Sequence, residues 1–304
     1  MRTAYLVGMA KSEFSTQITD GFQSILPRAW RTDLPVVPVV RLSGVIGFST
    51  PLRPGLTLSS CARALDRAFG MRRAKAVALV INSPGGSAVQ SHLIFKRIRQ
   101  LGQEKEKRVI AVVEDVAASG GYMIACAADE IVADESSIVG SIGVVGGSFG
   151  FHGLLEKLGI ERRLYTSGEH KAMLDPFLPE RPEDVERLKS IQRDIHDSFT
   201  ALVKSRRDAL AEDDPDLFSG AYWTGQRALA LGLVDRIGDL RNTLRELFGD
   251  DVHTPLVSSG RGLFGRQAPA IGHAALGKLL DRPTLAEDMI STLETRALWA
   301  RYGL

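Results

Sequence analysis

From Pro35 onward, uninterrupted apolar runs of strand length alternate with longer segments whose apolar residues recur at helical spacing. Val36–Ile46 is rich in β-branched residues, Ala76–Ile81 is continuously apolar, and Val109–Val113 repeats that pattern, so each predicts a strand. Between them Ser59–Phe69 reads as a helix, and Val89–Leu101 places Leu93, Ile94, Ile98 and Leu101 on one helical face. Strands without polar alternation, separated by helices, predict an α/β architecture: a largely parallel sheet covered on both faces. Ser119–Ala128 predicts a helix of mostly small residues. Glu130–Ala133 and Ile142–Val145 read as short β-prone pieces, Leu154–Leu158 as a short helix and Arg162–Tyr165 as a further strand. Residues 167–182 carry Gly168, Pro176, Pro179 and Pro182 and predict a loop. Glu183–Leu210 predicts a long helix, of a length suited to an arm over a neighbouring element or subunit. Thr224 can cap a short helix that Gly232 ends, and Leu240–Phe248 closes the core.

The flanks differ from this body. Residues 1–35 form an extension in which Phe14, Ile18, Phe22 and Ile25 recur at helical spacing, an amphipathic pattern that packs on the body or meets a membrane surface. Residues 36–248 form the main domain. Residues 249–304 combine a linker rich in Gly, Ser and Pro over 250–275 with an amphipathic helix over about 285–301. Charge adds little: 38 basic against 36 acidic residues give a net charge of +2, and no nucleic-acid partner is expected. No run approaches the roughly 20 apolar residues of a membrane span, and the first residues lack the apolar core and cleavage site of a secretory signal. The sequence therefore reads as soluble, cytoplasmic or peripherally membrane-associated. Cys61 and Cys126, far apart among small or apolar neighbours, read as buried free thiols.

Chemistry concentrates in two glycine-rich turns. In Val116-Ala117-Ala118-Ser119-Gly120-Gly121-Tyr122 a strand delivers one serine to the start of a helix, flanked by residues too small to shield it. The amides of a helix start point toward such a serine, and Gly120 lets a substrate carbonyl approach the backbone. Asn82-Ser83-Pro84-Gly85-Gly86-Ser87 follows the preceding strand, and its Gly85 and Gly86 amides can line the same carboxyl edge of a parallel sheet. The plainer alternative is that Ser119 caps a helix and the glycines serve packing. A serine nucleophile also needs a base. None of His92, His152, His170, His196, His253 and His273 sits in a setting that singles it out. Lys171, in Ser167-Gly168-Glu169-His170-Lys171-Ala172, is by pattern alone one surface lysine among many. Gly140–Gly147 fits neither nucleotide-binding glycine motif, no metal-ligand spacing occurs, and no cofactor is expected.

Taken in order, N-S-P-G-G-S at 82–87, D-V-A-A-S-G-G-Y at 115–122, G-S-I-G-V at 140–144, the segment Ser167–Lys171 and G-x-x-A-x-x-x-G-L-V-D at 225–235 resemble the bacterial signal peptide peptidase A (protease IV) family of serine peptidases, in its single-repeat form. The resemblance spans roughly residues 36–248. It implies a Clp-protease/crotonase-like fold and a Ser–Lys dyad, with Ser119 as nucleophile, Lys171 as general base and Ser141 orienting the lysine. It also implies an oxyanion hole from the amides of Gly85 or Gly86 and of Gly120. A Clp-type triad would want a histidine within 141–145, and none is there. The family assembles into rings or domes, so a homo-oligomer is expected, with Lys171 reaching Ser119 within one chain or across an interface. The expected activity is endopeptidase cleavage, through an acyl-enzyme, of short or unfolded apolar peptides such as signal-peptide remnants. A crotonase-type acyl-CoA enzyme and a catalytically silent membrane-associated scaffold are the alternatives.

Overall fold

In a computed structural model that describes residues 34–47, 55–258, 292 and 295–304, the continuous apolar runs become the centre of a seven-stranded sheet. Strands β1 (Val39–Ser43), β2 (Ala76–Ser83), β3 (Arg108–Ala118), β4 (Glu130–Ala133) and β7 (Arg236–Ile237) lie in the order β1-β2-β3-β4-β7, and every adjacent pair is parallel. The lack of polar alternation now has its reason. Val77, Leu79 and Ile81 face one apolar layer while Ala76, Ala78 and Val80 face the other, so both faces of β2 are buried. The larger layer holds α1 (Leu58–Gly70), α2 (Ala88–Glu104) and α3 (Gly120–Ala125). The smaller one is closed by α7 (Leu240–Phe248) through Leu244. The largely parallel, two-sided α/β sheet expected from the pattern is thus present.

The central strand behaves differently from its sequence signature. β3 continues five residues past Val113, because its second half finds a new neighbour. Ile110–Val113 pair with β4, after which Val116–Ala118 pair in parallel with β5 (Ile138–Gly140). β6 (Tyr222–Thr224) then adds antiparallel to β5. The β-prone piece expected over 142–145 lies instead at 138–140, where a partner exists. Arg162–Tyr165 is exposed and joins no ladder, so its β propensity finds no surface to pack on.

Local end signals are read correctly at the closing motif. Thr224 accepts a hydrogen bond from the Arg227 amide at 3.4 Å at the start of α6 (Gly225–Ala230), and Gly232 ends that helix region at φ +73°. The expected linker is more ordered at its beginning. Val36 bridges His253, Val39 bridges Leu256, and the Val257 amide donates to the Val39 carbonyl at 2.8 Å. Residues 253–257 therefore cover the outer edge of β1, which would otherwise present unpaired backbone groups. The amphipathic extension expected before residue 34 lies outside the described residues. Of the expected C-terminal helix, 295–300 is helical.

One segment leaves the body. Residues 145–171 are almost wholly exposed, α4 (His152–Lys157) has no buried residue, and α5 (Pro182–Arg206) buries only Asp184, Phe199 and Val203 of its 25 residues. The segment is tied to itself by Phe149, Phe151 and Phe177, with the Arg162 guanidinium 4.9 Å over the Phe177 ring. No helix among the described residues is long and apolar enough to cross a membrane.

Candidate active site

Parallel pairing fixes which loops meet. β2, β3 and β5 end at the same edge, so the turn 82–87, Ser119 and Ser141 all emerge there. Ala118 is the register partner of Gly140, which sets Ser119 beside Ser141 at the ends of adjacent strands. The Ser119 amide donates to the Gly140 carbonyl at 2.8 Å, and the Ser141 amide donates to the Ala221 carbonyl at 2.6 Å. Both serines have positive φ, 51° and 55°. With ψ −120°, Ser119 occupies a sharp strand-to-helix turn of the kind that pushes a nucleophile out of the chain.

The simple capping alternative can be tested directly. Ser119 is the N-cap residue of α3, yet its side chain makes no capping hydrogen bond. Among the described residues its hydroxyl has no hydrogen-bond partner, and the residue is half-buried. The side chain is therefore presented to the edge instead of being consumed by the helix. The packing part of that alternative does hold. A Cβ on Gly120 would run into Ser91 Oγ, so only glycine lets α3 sit this close to α2.

The turn before α2 packs directly under Ser119. Gly85 has φ +98°, and a Cβ there would lie 2.8 Å from Ser119 Cβ and 2.9 Å from the Ala118 carbonyl oxygen. Ser83 anchors the turn: its hydroxyl donates to the Gly44 carbonyl at 2.7 Å and accepts from the Gly85 amide at 3.3 Å. That leaves the candidate oxyanion donors unequal. The Gly85 amide is engaged, whereas among the described residues no partner exists for the amides of Gly86 and Gly120.

The candidate base is elsewhere. Lys171 lies in the exposed segment, its side chain passing Gly168, and among the described residues no hydrogen bond links it to Ser119 or Ser141. No described histidine bonds to Ser119 either, and His273 is outside the described residues. Among the described residues no group of His, Cys, Asp or Glu side chains is placed to hold a metal ion. Cys61 and Cys126 are free and buried, as the sequence suggests. Burial pushes their thiols up to about 11 and about 12, away from the nucleophilic thiolate.

Some contributors had no local signal. Ser141 Oγ accepts a hydrogen bond from the Tyr302 hydroxyl at 3.4 Å. Arg207, from the end of α5, makes a two-pronged ion pair with Asp235 of the closing motif at 2.8 and 2.9 Å. Asp235 also accepts from the Ile131 amide at 2.7 Å, which ties the motif to β4.

Among the described residues, an uncommitted serine at a strained turn with unpartnered amides beside it at the carboxyl edge is the arrangement that acyl-transfer chemistry uses. Known proteins agree with that class. The model of peptidase family S49 matches residues 102–250. A putative protease of Synechocystis sp. is 33% identical over 215 residues, covering 69% of this chain and 76% of that protein. The chain belongs to peptidase family S49. A chloroplastic serine protease SPPA of Arabidopsis thaliana is 34% identical over 174 residues, covering 57% of this chain and 25% of that protein. A protein of Brucella abortus named Na(+)/H(+) antiporter NhaA is 52% identical over 283 residues, covering 92% of this chain. The chain spans only 38% of that protein's length.

Proposed function

We propose that the chain is a serine endopeptidase that cleaves short or unfolded, fairly apolar peptides through an acyl-enzyme. The observation that carries this reading is the Ser119 hydroxyl, on a strained turn and, among the described residues, uncommitted to any cap or partner. In the first half-reaction Ser119 Oγ attacks the scissile carbonyl carbon and its proton passes to Lys171 Nζ. The oxyanion is held by the Gly86 and Gly120 amides. The amine leaves with the proton from Lys171, and water repeats the sequence to release the acid. Ser141, beside Ser119, would hold the lysine in line. The antiporter name of the Brucella relative is not carried over, because most of that protein lies outside the match.

The exposed segment supports a shared site. It carries Lys171 together with Phe149, Leu158, Ile160 and Tyr165, which are 79%, 61%, 53% and 89% exposed. Large apolar side chains left this exposed mark a contact, and a second copy covering them would complete a homo-oligomer. Burying an ammonium favours its neutral form, the one able to take a proton. The subunit contact would thus both deliver the lysine and prepare it.

Fluorophosphonate labelling and a fluorogenic peptide library test the reading with the native protein, Ser119→Ala and Lys171→Ala. Ser119→Ala should abolish labelling and hydrolysis, and Lys171→Ala should lower turnover by roughly 10²–10⁴, the usual worth of a general base. Equal rates for all three would sink the dyad. Labelling of Ser119 also separates this chemistry from that of a crotonase-type acyl-CoA enzyme, which needs no nucleophilic serine. Mixing the two inactive variants should restore part of the activity, and unchanged inactivity after verified subunit exchange would show that the dyad is not shared.

A further inference from the structure

The C-terminal residues of the chain lie on the candidate site. Tyr302 gives its hydroxyl proton to Ser141 Oγ at 3.4 Å, and its ring meets Tyr222 edge-on with centroids 5.0 Å apart. Tyr222, on β6, donates its own hydroxyl to the Arg301 carbonyl oxygen at 3.0 Å. The segment has a face. Leu298, Trp299 and Tyr302 are half-buried, whereas Ala300, Arg301 and Gly303 are exposed. It is held at its last turn and at no other point by hydrogen bonds to the body among the described residues.

Ser141 is only 7% exposed, so there is little room for a second donor at its oxygen. A lysine ammonium has donors and no acceptor, so it could use Ser141 only as an acceptor; Tyr302 takes one of the two lone pairs of that oxygen, and the segment leaves little access to the other. The two groups therefore compete for one atom. We propose that residues 295–304 are an intramolecular inhibitor: the segment sits on Tyr222 and Ser141 and must leave before Lys171 can be oriented there. This inference rests on the dyad reading of the site. The seat itself is a peptide-binding surface, and its ligand class is a peptide that presents an aromatic side chain to Tyr222.

The hold is light, one long hydrogen bond, one ordinary one and a ring pair, so release should raise activity by roughly tenfold and not by many orders. The full chain, a chain ending at residue 294, and Tyr302→Ala and Tyr302→Phe variants of the full chain are compared by the rate of fluorophosphonate labelling at Ser119. Truncation and Tyr302→Ala should each speed labelling about tenfold, and Tyr302→Phe, which keeps the ring, about threefold. A tethered segment acts at an effective concentration of order millimolar. A synthetic 295–304 peptide added in that range should return the truncated chain to the slow rate.

Equal labelling rates in the full and altered chains would overturn the inhibition. Fluorescence anisotropy of the labelled peptide on the truncated chain reads the seat without any turnover. Saturable binding that Tyr222→Ala weakens supports it, and no binding overturns it. Saturable binding with no labelling of any form would instead overturn the serine-peptidase reading.

Discussion

Replacing Asp235 by Asn tests whether the closing motif is a structural clamp. Three donors converge on this carboxylate: Arg207 Nη1 and the Ile131 amide on Oδ2, and Arg207 Nη2 on Oδ1. Arg207 is 7% exposed and also donates to the Gly232 carbonyl at 3.0 Å, while Asp235 is 38% exposed. Asn keeps the shape but offers one oxygen to three donors, and its own amide group must then face either the guanidinium or the Ile131 amide. The guanidinium is also left without a counter-charge. Removing one partner of a fully buried pair costs about 3–5 kcal/mol, and the open side of Asp235 lowers this to about 2–4 kcal/mol. At roughly 2–4 °C per kcal/mol for a domain of this size, Tm should fall by about 4–16 °C. Thermal unfolding followed by circular dichroism, with urea midpoints as a second measure, gives the number. The pair Arg207→Met with Asp235→Leu should be less destabilised than Asp235→Asn, because no charge is stranded. It should still fall short of the native protein, since the Ile131 amide and Gly232 carbonyl lose partners. A change below about 0.5 kcal/mol for Asp235→Asn would refute the clamp.

Two further outcomes follow from the same geometry. Gly85→Ala forces an L side chain to φ +98° against Ser119 and the Ala118 carbonyl. It should cost about 2–4 kcal/mol and slow labelling of Ser119 at least tenfold, and native Tm with native labelling would show that this turn does not support the serine. The buried thiols should resist Ellman's reagent at pH 8 in the folded protein and react on unfolding. Their folded pKa values lie above the ordinary 9.0, mainly through burial. Their contribution to stability is thus whole below about pH 9 and lost as pH rises toward 11 and 12. A Tm that stays flat from pH 8 to 11 would contradict this.

Much of the architecture was legible because it is written locally. Continuous apolar runs in β2 and β3 announce strands buried on both faces, and Thr224 and Gly232 mark the ends of α6 in side-chain chemistry. The presentation of Ser119 was legible for the same reason, since strand, small residues and glycines adjoin in sequence. What escaped is pairing over distance. β5 and β6 are three residues each, and their existence depends on β3 running past β4 to meet them. The bridges from 253–257 to the edge of β1, the Arg207–Asp235 clamp and the Tyr222–Tyr302 contact join residues with no periodic signal between them. Arg162–Tyr165 failed in the opposite sense, a propensity without a partner.

The strain at Ser119 and Ser141 explains why this part of the candidate site leaves a mark in the sequence. Ser119 and Ser141 each occupy backbone that disfavours an L residue by about 1–2 kcal/mol. Each directly follows a strand, and those two strands pair in register to their last residues. The residues that hold them, Val116, Ala117, Ala118 and Val139, are fully buried, so the sheet offsets the strain and keeps both hydroxyls at the edge before any substrate arrives. Preorganisation of that kind demands particular small and apolar residues at fixed spacing, and it therefore leaves a mark in the sequence. Lys171, on a long side chain carried by an exposed segment, demands nothing of its neighbours within the chain. Neither its pattern nor its surroundings among the described residues therefore single it out. Under the proposed dyad, a base carried by an exposed segment is what gives residues 295–304 their opening. In the proposed mechanism, occupancy of Ser141 by Tyr302 or by Lys171 is the choice between the closed and the active site.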